Sequence, residues 1–284
     1  MKCIGIIAKH ADPRVEPIVS GLARWLAERD IQVFMDEETA AALGRKDGVL
    51  RSILPQHCDC LIVLGGDGTL LSAARVVGST GKPILGVNLG GLGFMTAVAI
   101  DELYPVMERV LGGEIEYDER MMLDVHVQRM GEQVADYTVL NDAVINKGAL
   151  ARIIDICVDV DREHLADYKA DGLIISSPTG STGYSLSAHG PIVHPSLHTI
   201  VISPICPHML TLRPLLIPGD MVVRAELISK GADVFLTLDG QVGFGLREGD
   251  VIKVRKSKSA IKFISSPFRD YFTVLRTKLK WGER

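Results

Sequence analysis

Apolar runs alternate with helical spacings along the first 110 residues. Residues 3–8 form a continuous apolar run, as a strand buried on both faces requires. Val15, Ile18, Val19, Leu22, Trp25 and Leu26 then recur at helical spacing over 15–28, with Pro13 and Pro17 near the entry. Strands are expected at 31–35 and 61–64, the latter stopping at Gly65-Gly66-Asp67-Gly68-Thr69. Helices at 70–77 and 101–111 flank another buried strand at 83–87. This alternation predicts an α/β domain over 1–115, with a mainly parallel, Rossmann-like sheet and helices on both faces.

Near residue 115 the period changes. Leu123, Val125 and Val127 alternate with Met122, Asp124, His126 and Gln128. Strand-like segments follow at 139–145, 153–160, 173–176, 199–203, 221–227, 234–238 and 251–255, and only 181–188 reads as helix among them. Strands this frequent, with turns such as Pro218-Gly219-Asp220 and Glu248-Gly249-Asp250, predict a mostly antiparallel β-sandwich over 116–267. A last helix within 268–284 is expected to pack back on the first domain.

Composition narrows the function classes. The 284 residues are 47% hydrophobic and 23% charged, the mix of a packed protein rather than a disordered one. A net charge of -4 argues against a general binder of nucleic acid or membranes, and no run approaches the roughly 20 apolar residues that cross a bilayer. Ten basic residues against two acidic ones lie between Lys253 and Arg284, which reads as a solvated helix face. The opening Met1–His10 stretch is too short and too soon interrupted for a signal peptide. Five cysteines, at 3, 58, 60, 157 and 206, match no zinc spacing, so reduced thiols and a cytoplasmic location are expected. His57-Cys58-Asp59-Cys60 leads into an apolar strand and is read as structural, so no metal is assigned to it.

The sharpest chemical signal is Gly65-Gly66-Asp67-Gly68-Thr69, which follows a buried strand and opens a helix. Glycines there let the backbone approach a phosphate, and a helix N-terminus supplies N–H groups. The run is neither a P-loop nor the dinucleotide fingerprint. Asp67 would repel a phosphate, so it is read as a proton acceptor or metal ligand, with helix capping as the plain structural alternative. A second glycine turn, Asn88-Leu89-Gly90-Gly91-Leu92-Gly93-Phe94, follows the next strand. Both lie where the carboxyl edge of a parallel sheet binds ligands. From Asp171 to Ser187 a strand runs into Ser-Pro-Thr-Gly-Ser-Thr-Gly-Tyr, a set of hydroxyls with one aromatic face suited to a sugar and a base. Asn141-Asp142 interrupts an apolar strand, marking a site or a wet strand end.

Together with Pro204-Ile205-Cys206-Pro207-His208, these segments resemble the NAD kinase family over nearly the whole chain. The resemblance implies phosphoryl transfer from ATP to the 2′-hydroxyl of the adenosine ribose of NAD, with a divalent cation, usually Mg2+, bound with ATP. It implies Asp67 as general base, with Gly68 beside it. It assigns Asn141 and Asp142 to the NAD adenosine portion, and Arg152, Lys169 and Asp171 to the lining of the dinucleotide site. Thr182, Gly183, Tyr184, Ser185, Leu186 and Ser187 would wrap the adenine, Thr179 would be a further nucleotide-binding residue, and Gln241 would close the site. Three positions depart from the family pattern: Asp142 replaces the usual Glu, Gly183 a common Ala, and Lys169 a frequent Arg.

Two other readings of the glycine turn stay open: a lipid or sphingoid kinase, and a nucleotide-sensing module in which Asp67 only caps its helix. The β domain must cover two sheet edges, and the strands at 199–203 and 234–238 carry few charges. A homodimer or homotetramer built through that domain is therefore expected, and the resemblance implies the same.

Overall fold

The computed structural model describes residues 1–148, 152–230 and 233–282. The chain forms two compact units, Met1–Glu119 with Ile261–Arg284, and Arg120–Ala260.

The first unit opens with β1 (Cys3–Ala8), α1 (Val15–Ala27), β2 (Gln32–Met35), α2 (Glu37–Ala42), β3 (Cys60–Gly65), α3 (Asp67–Val77), β4 (Ile84–Asn88), β5 (Val98–Ala99) and α4 (Leu103–Leu111). Its sheet is parallel in the order β2-β1-β3-β4, with β5 beside β4 and Phe263 pairing with Ile84. Every residue of β3 and β4 is buried, which is why both strands read as unbroken apolar runs. Val15, Val19, Leu22 and Leu26 form the buried stripe of α1, and Leu103, Val106, Met107 and Val110 that of α4. The short α2 was not evident from periodicity. It starts because the buried Asp36 accepts the Thr39 N–H at 3.1 Å, while Arg51 pairs with the same carboxylate at 2.5 Å.

The second unit takes in most of β6 (Tyr117–Arg129), then β7 (Glu132–Val139), β8 (Asp142–Lys147), β9 (Ile154–Val160), β10 (Glu163–Ala170), β11 (Gly172–Ser176), α5 (Tyr184–Ser187), β12 (Thr199–Ile205), β13 (Leu215–Pro218), β14 (Val223–Leu227), β15 (Val234–Leu238), β16 (Val242–Leu246) and the start of β17 (Val251–Ile264). One sheet is antiparallel in the order β13-β12-β11-β8-β15-β16. A second layer runs β10-β9-β14-β17, also antiparallel, and β6 pairs with β7. Leu173, Ile175, Ala143, Ile145 and Leu236 from the first layer share one apolar cluster with Ile156, Val158, Ala225 and Ile252 from the second. That shared core makes the unit a β-sandwich.

Several strand readings change: β10, β13 and β16 are strands that the apolar pattern did not predict. The expected strand at 139–145 is two strands, β7 and β8, broken at Leu140-Asn141. The edge strand β10 carries Glu163, His164, Asp167 and Lys169 on exposed positions, and its weak apolar alternation left it unpredicted. In the first unit, α6 (Tyr271–Leu279) buries Val274 and Leu275 and is N-capped by Asp270, which accepts the Thr273 N–H at 2.7 Å. Residues 283–284, the end of the expected terminal helix segment, lie outside the described residues. Among the described residues no helix is long and apolar enough to cross a membrane.

Candidate active site

In the first unit β3 and β4 end side by side, with Gly65 paired to Asn88. The N-cap of α3 is Gly66, and Asp67 is its first helical residue. The Asp67 carboxylate therefore does not cap its own helix; it reaches into the turn after β4. Its Oδ2 accepts the Phe94 N–H at 2.9 Å. Its Oδ1 accepts the N–H groups of Met95 and Thr96 and the Thr96 hydroxyl, each at 3.1 Å. Thr96 Oγ1 in turn accepts from the Asn88 side-chain amide at 2.7 Å, and Asn88 Oδ1 accepts the Gly90 N–H at 2.6 Å. The two glycine turns are thus tied through one carboxylate. Gly93 is required here, because a Cβ would collide with both Asp67 Oδ1 and Thr96 Oγ1. The sequence had singled out both turns but not the bonds between them. Gly68 has open space where a Cβ would stand, so an approaching ligand meets no side chain there.

In the second unit, β8 and β15 are neighbours, and alternation puts Asp142, Val144, Asn146 and Thr237 on the face opposite the core. With Asn141, Tyr184, Asp239 and Gly240 they line a cavity of about 360 Å³, within the range of small-molecule sites. Asp239 and Gly240 both have positive φ and close a tight turn in which the Gln241 N–H donates to Leu238 O at 3.0 Å. That turn aims the Asp239 carboxylate at the β7–β8 break. It accepts the N–H groups of Leu140 at 3.1 Å, Asn141 at 2.7 Å and Asp142 at 3.3 Å. The Asp142 side chain is 5% exposed. Burial, and then the negative charge of Asp239, push its pKa up to about 7.

The expected adenine-wrapping segment divides into structural and available groups. Ser185 is fully buried and shares its hydroxyl with Ser203 at 3.0 Å, so its side chain serves the interior. Thr182 Oγ1 donates back to Thr179 O at 3.3 Å. Tyr184 is 49% exposed on the cavity rim, Leu186 is half-buried, and Ser187 is exposed. A Cβ on Gly183 would stand 3.2 Å from Gly180 O and 3.8 Å from Asn141 Nδ2, so the family's alanine needs only a slight adjustment of the backbone. Thr179 Oγ1 and Asn141 Oδ1 are buried without a hydrogen-bond partner in the chain. Such atoms carry a free-energy penalty that a ligand's polar groups relieve.

Other expected residues lie apart from the cavity lining. Arg152 is exposed ahead of β9, Lys169 Nζ stands 3.6 Å from Asp155 Oδ1, and Asp171 Oδ1 pairs with Lys147 Nζ at 3.0 Å. Gln241 is exposed at the turn after β15. Sequence reasoning missed Val144, Asn146, Thr237 and Asp239 as lining residues. The period of two along β8 and β15 was the signal for the first three; the Asp-Gly pair after an apolar strand was the signal for the fourth.

The chain is similar to known proteins along its whole length. Residues 4–115 match the ATP-NAD kinase N-terminal domain, and residues 140–266 match the ATP-NAD kinase C-terminal domain. The chain is 55% identical to the NAD kinase of Geobacter sulfurreducens and 52% identical to that of Geotalea daltonii, each over the whole length of both proteins. The crystal structure of yeast NADH kinase complexed with NADH superposes with a TM-score of 0.92 at 26% identity, over all of this chain and 89% of that one. An NAD kinase from Archaeoglobus fulgidus in complex with ATP shares the fold, with a TM-score of 0.77 at 22% identity over 99% of each chain. Full-length matches of this kind leave no room for the lipid-kinase reading, and the chain belongs to the NAD kinase family.

Proposed function

We propose that this NAD kinase uses Asp67 as the general base that activates the 2′-hydroxyl of the adenosine ribose of NAD toward the γ-phosphoryl group of ATP. The observation that carries this reading is the immobilised Asp67 carboxylate, whose Oδ1 holds three donors while Oδ2 holds one and keeps room for another. A ribose hydroxyl is a poor nucleophile at neutral pH. As its oxygen bonds the γ-phosphorus and the bond to ADP breaks, its proton passes to Asp67. Positioning and charge neutralisation supply the remainder. The 65–69 turn contains a single carboxylate, so the divalent cation is read as entering with ATP, a part of the substrate that neutralises its phosphates.

The cavity of the second unit is proposed to take the adenosine of NAD. Asp142 would accept a ribose hydroxyl, Asn141 and Thr179 would satisfy their unpartnered oxygens on the ligand, and Tyr184 would stack on the base. Arg152, Lys169, Asp171 and Gln241 keep the roles that the family resemblance implies. Five free cysteines fit a reducing compartment, and a cytoplasmic site of action is part of the proposal. So is a homo-oligomer: the edge strand β13 exposes Leu215 and Leu216, and Met209 and Leu210 are exposed just ahead of it. In such an assembly Arg152 or His208 would reach a neighbouring copy's ligand.

Asp67→Asn is expected to lower kcat at least about 10²-fold with an unchanged melting temperature. Turnover near that of the wild type in the folded variant refutes the general-base role. Asn141→Ala should raise KM for NAD at least about tenfold and leave KM for ATP within about twofold. An equal rise in both removes Asn141 from the NAD site.

Asp142 gives a pH signature. Its ionised form is the ribose acceptor, and it forms as pH rises through about 7. Below that value KM for NAD should rise roughly tenfold per pH unit, and Asp142→Asn should flatten the profile. Stability runs the other way. A carboxylate whose folded pKa is raised stabilises the fold below its ordinary value and loses that contribution as pH rises through the folded pKa. Asp142→Asn should therefore melt higher than wild type at about pH 8 and gain less at about pH 5. Light scattering of the active protein should give at least twice the 30.9 kDa of one chain; a monomer mass refutes the assembly.

A further inference from the structure

Two strands of the second unit, β9 and β10, bring a thiol, a carboxylate and an imidazole together on the outer face of its second layer, beside β14. On β9, Ile156 and Val158 point into the core, so Cys157 and Asp159 point outward. Asp159 is paired in register with His164 of β10 and with Arg224 of β14, and Cys157 with Asp167 and Glu226. His164 and Asp167 are three residues apart, which in a regular strand puts them on opposite faces. A one-residue bulge between His164 and Ala166 returns both to the outer face.

We infer that Cys157, Asp159 and His164 form a binding site for a borderline divalent metal ion of the Zn2+ class. His164 Nδ1 lies 3.9 Å from Cys157 Sγ and 3.3 Å from Asp159 Oδ1, and the three donor atoms all fall within 4.8 Å of one another. A tetrahedral Zn2+ with ordinary Zn–S and Zn–N/O bonds sets such atoms about 3.3–3.6 Å apart. Small side-chain rotations close the difference.

The surroundings suit the ion. Arg224 donates to Asp159 Oδ2 at 2.9 Å and to Glu226 Oε2 at 2.5 Å, which fixes the carboxylate and leaves Oδ1 turned to His164. Asp167 Oδ1 stands 3.8 Å from His164 Nε2, the nitrogen a metal on Nδ1 leaves over, where a carboxylate orients the ring. The three carboxylates of Asp159, Asp167 and Glu226 outweigh the one guanidinium of Arg224. Binding forms a metal–sulfur bond and releases the Cys157 proton to solvent. Thiolate and imidazole donors select Zn2+ or Co2+ over Mg2+, so this ion is distinct from the one that enters with ATP. Bound there, it would staple the edge strand β10 to β9.

The test is titration of chelator-treated protein, without nucleotides, with Zn2+ and with Co2+ as a spectroscopic probe. One ion should bind per chain, Co2+ should give a thiolate charge-transfer band, and excess Mg2+ should displace neither. Zn2+ should raise the melting temperature. Cys157→Ser should abolish the band, and Cys157→Ser and His164→Ala should each weaken Zn2+ binding by at least the 10–100-fold typical of an outer-shell change. Circular dichroism checks that these outward-facing variants fold. Cys206→Ser, at an exposed thiol, should change nothing. Absence of stoichiometric binding, an unchanged Kd in Cys157→Ser, or loss of the band in Cys206→Ser overturns the proposal.

Discussion

Three consecutive backbone N–H groups, from Leu140, Asn141 and Asp142, converge on the Asp239 carboxylate, and the cavity of the second unit depends on that convergence. A strand cannot continue through residues whose amides are diverted to a side chain, so the chain ends β7 and restarts as β8. The diversion sets Asn141 on the cavity wall and starts β8 with Asp142 on the cavity face. Hydrogen bonds from amides to a carboxylate are among the stronger ones available, and three of them offset the desolvation of Asp239, which is 6% exposed. The same charge penalises its neighbour. Asp142 has its ionised form disfavoured by burial first and by Asp239 second, so the group proposed to accept a ribose hydroxyl titrates near neutrality.

The first unit repeats the device. Phe94, Met95 and Thr96 present successive N–H groups to Asp67, as Leu140 to Asp142 do to Asp239. In each case an acidic residue next to a glycine, at the end of an apolar strand, organises a distant loop. Asp67 holds the whole second glycine turn through one carboxylate, with a single donor on Oδ2 and three on Oδ1. The Gly93 requirement follows, since the loop comes closer to Asp67 than any side chain there permits.

This repetition shows what a sequence discloses and what it hides. The Gly65–Thr69 turn was legible because a glycine run after a fully buried strand has few other uses. The cavity face of β8 was half legible: Asn141 and Asp142 stood out as polar residues in an apolar stretch, while Val144 and Thr237 did not. The serines of the 176–187 segment misled in part, because a hydroxyl bonded inside the protein has the same letter as one facing a ligand. Ser177 Oγ donates to Leu140 O at 2.5 Å and Ser181 Oγ to Pro178 O at 2.6 Å, and both side chains are buried. Ser177 braces the β7–β8 break from the other side, and Ser181 ties its own turn to Val193. Gly180 matters too, because a Cβ there would strike Asn141 O.

The outer face of β9 and β10 was hidden for a different reason. Sequence periodicity assumes a regular strand, and the bulge between His164 and Ala166 shifts that period by one residue. Read without it, His164 and Asp167 belong to opposite faces, and β10 shows no clear alternation. The bulge also explains why so polar a strand exists. Tyr168 and Ala170 are buried, which suffices to anchor its end, while its start is held by pairing to β9 and by the charged groups around Asp159. A strand secured at one end by burial and at the other by electrostatics depends on the solution conditions at that second end. Its stability therefore responds to whatever cation the outer face holds, whether the Arg224 guanidinium alone or a metal ion beside it.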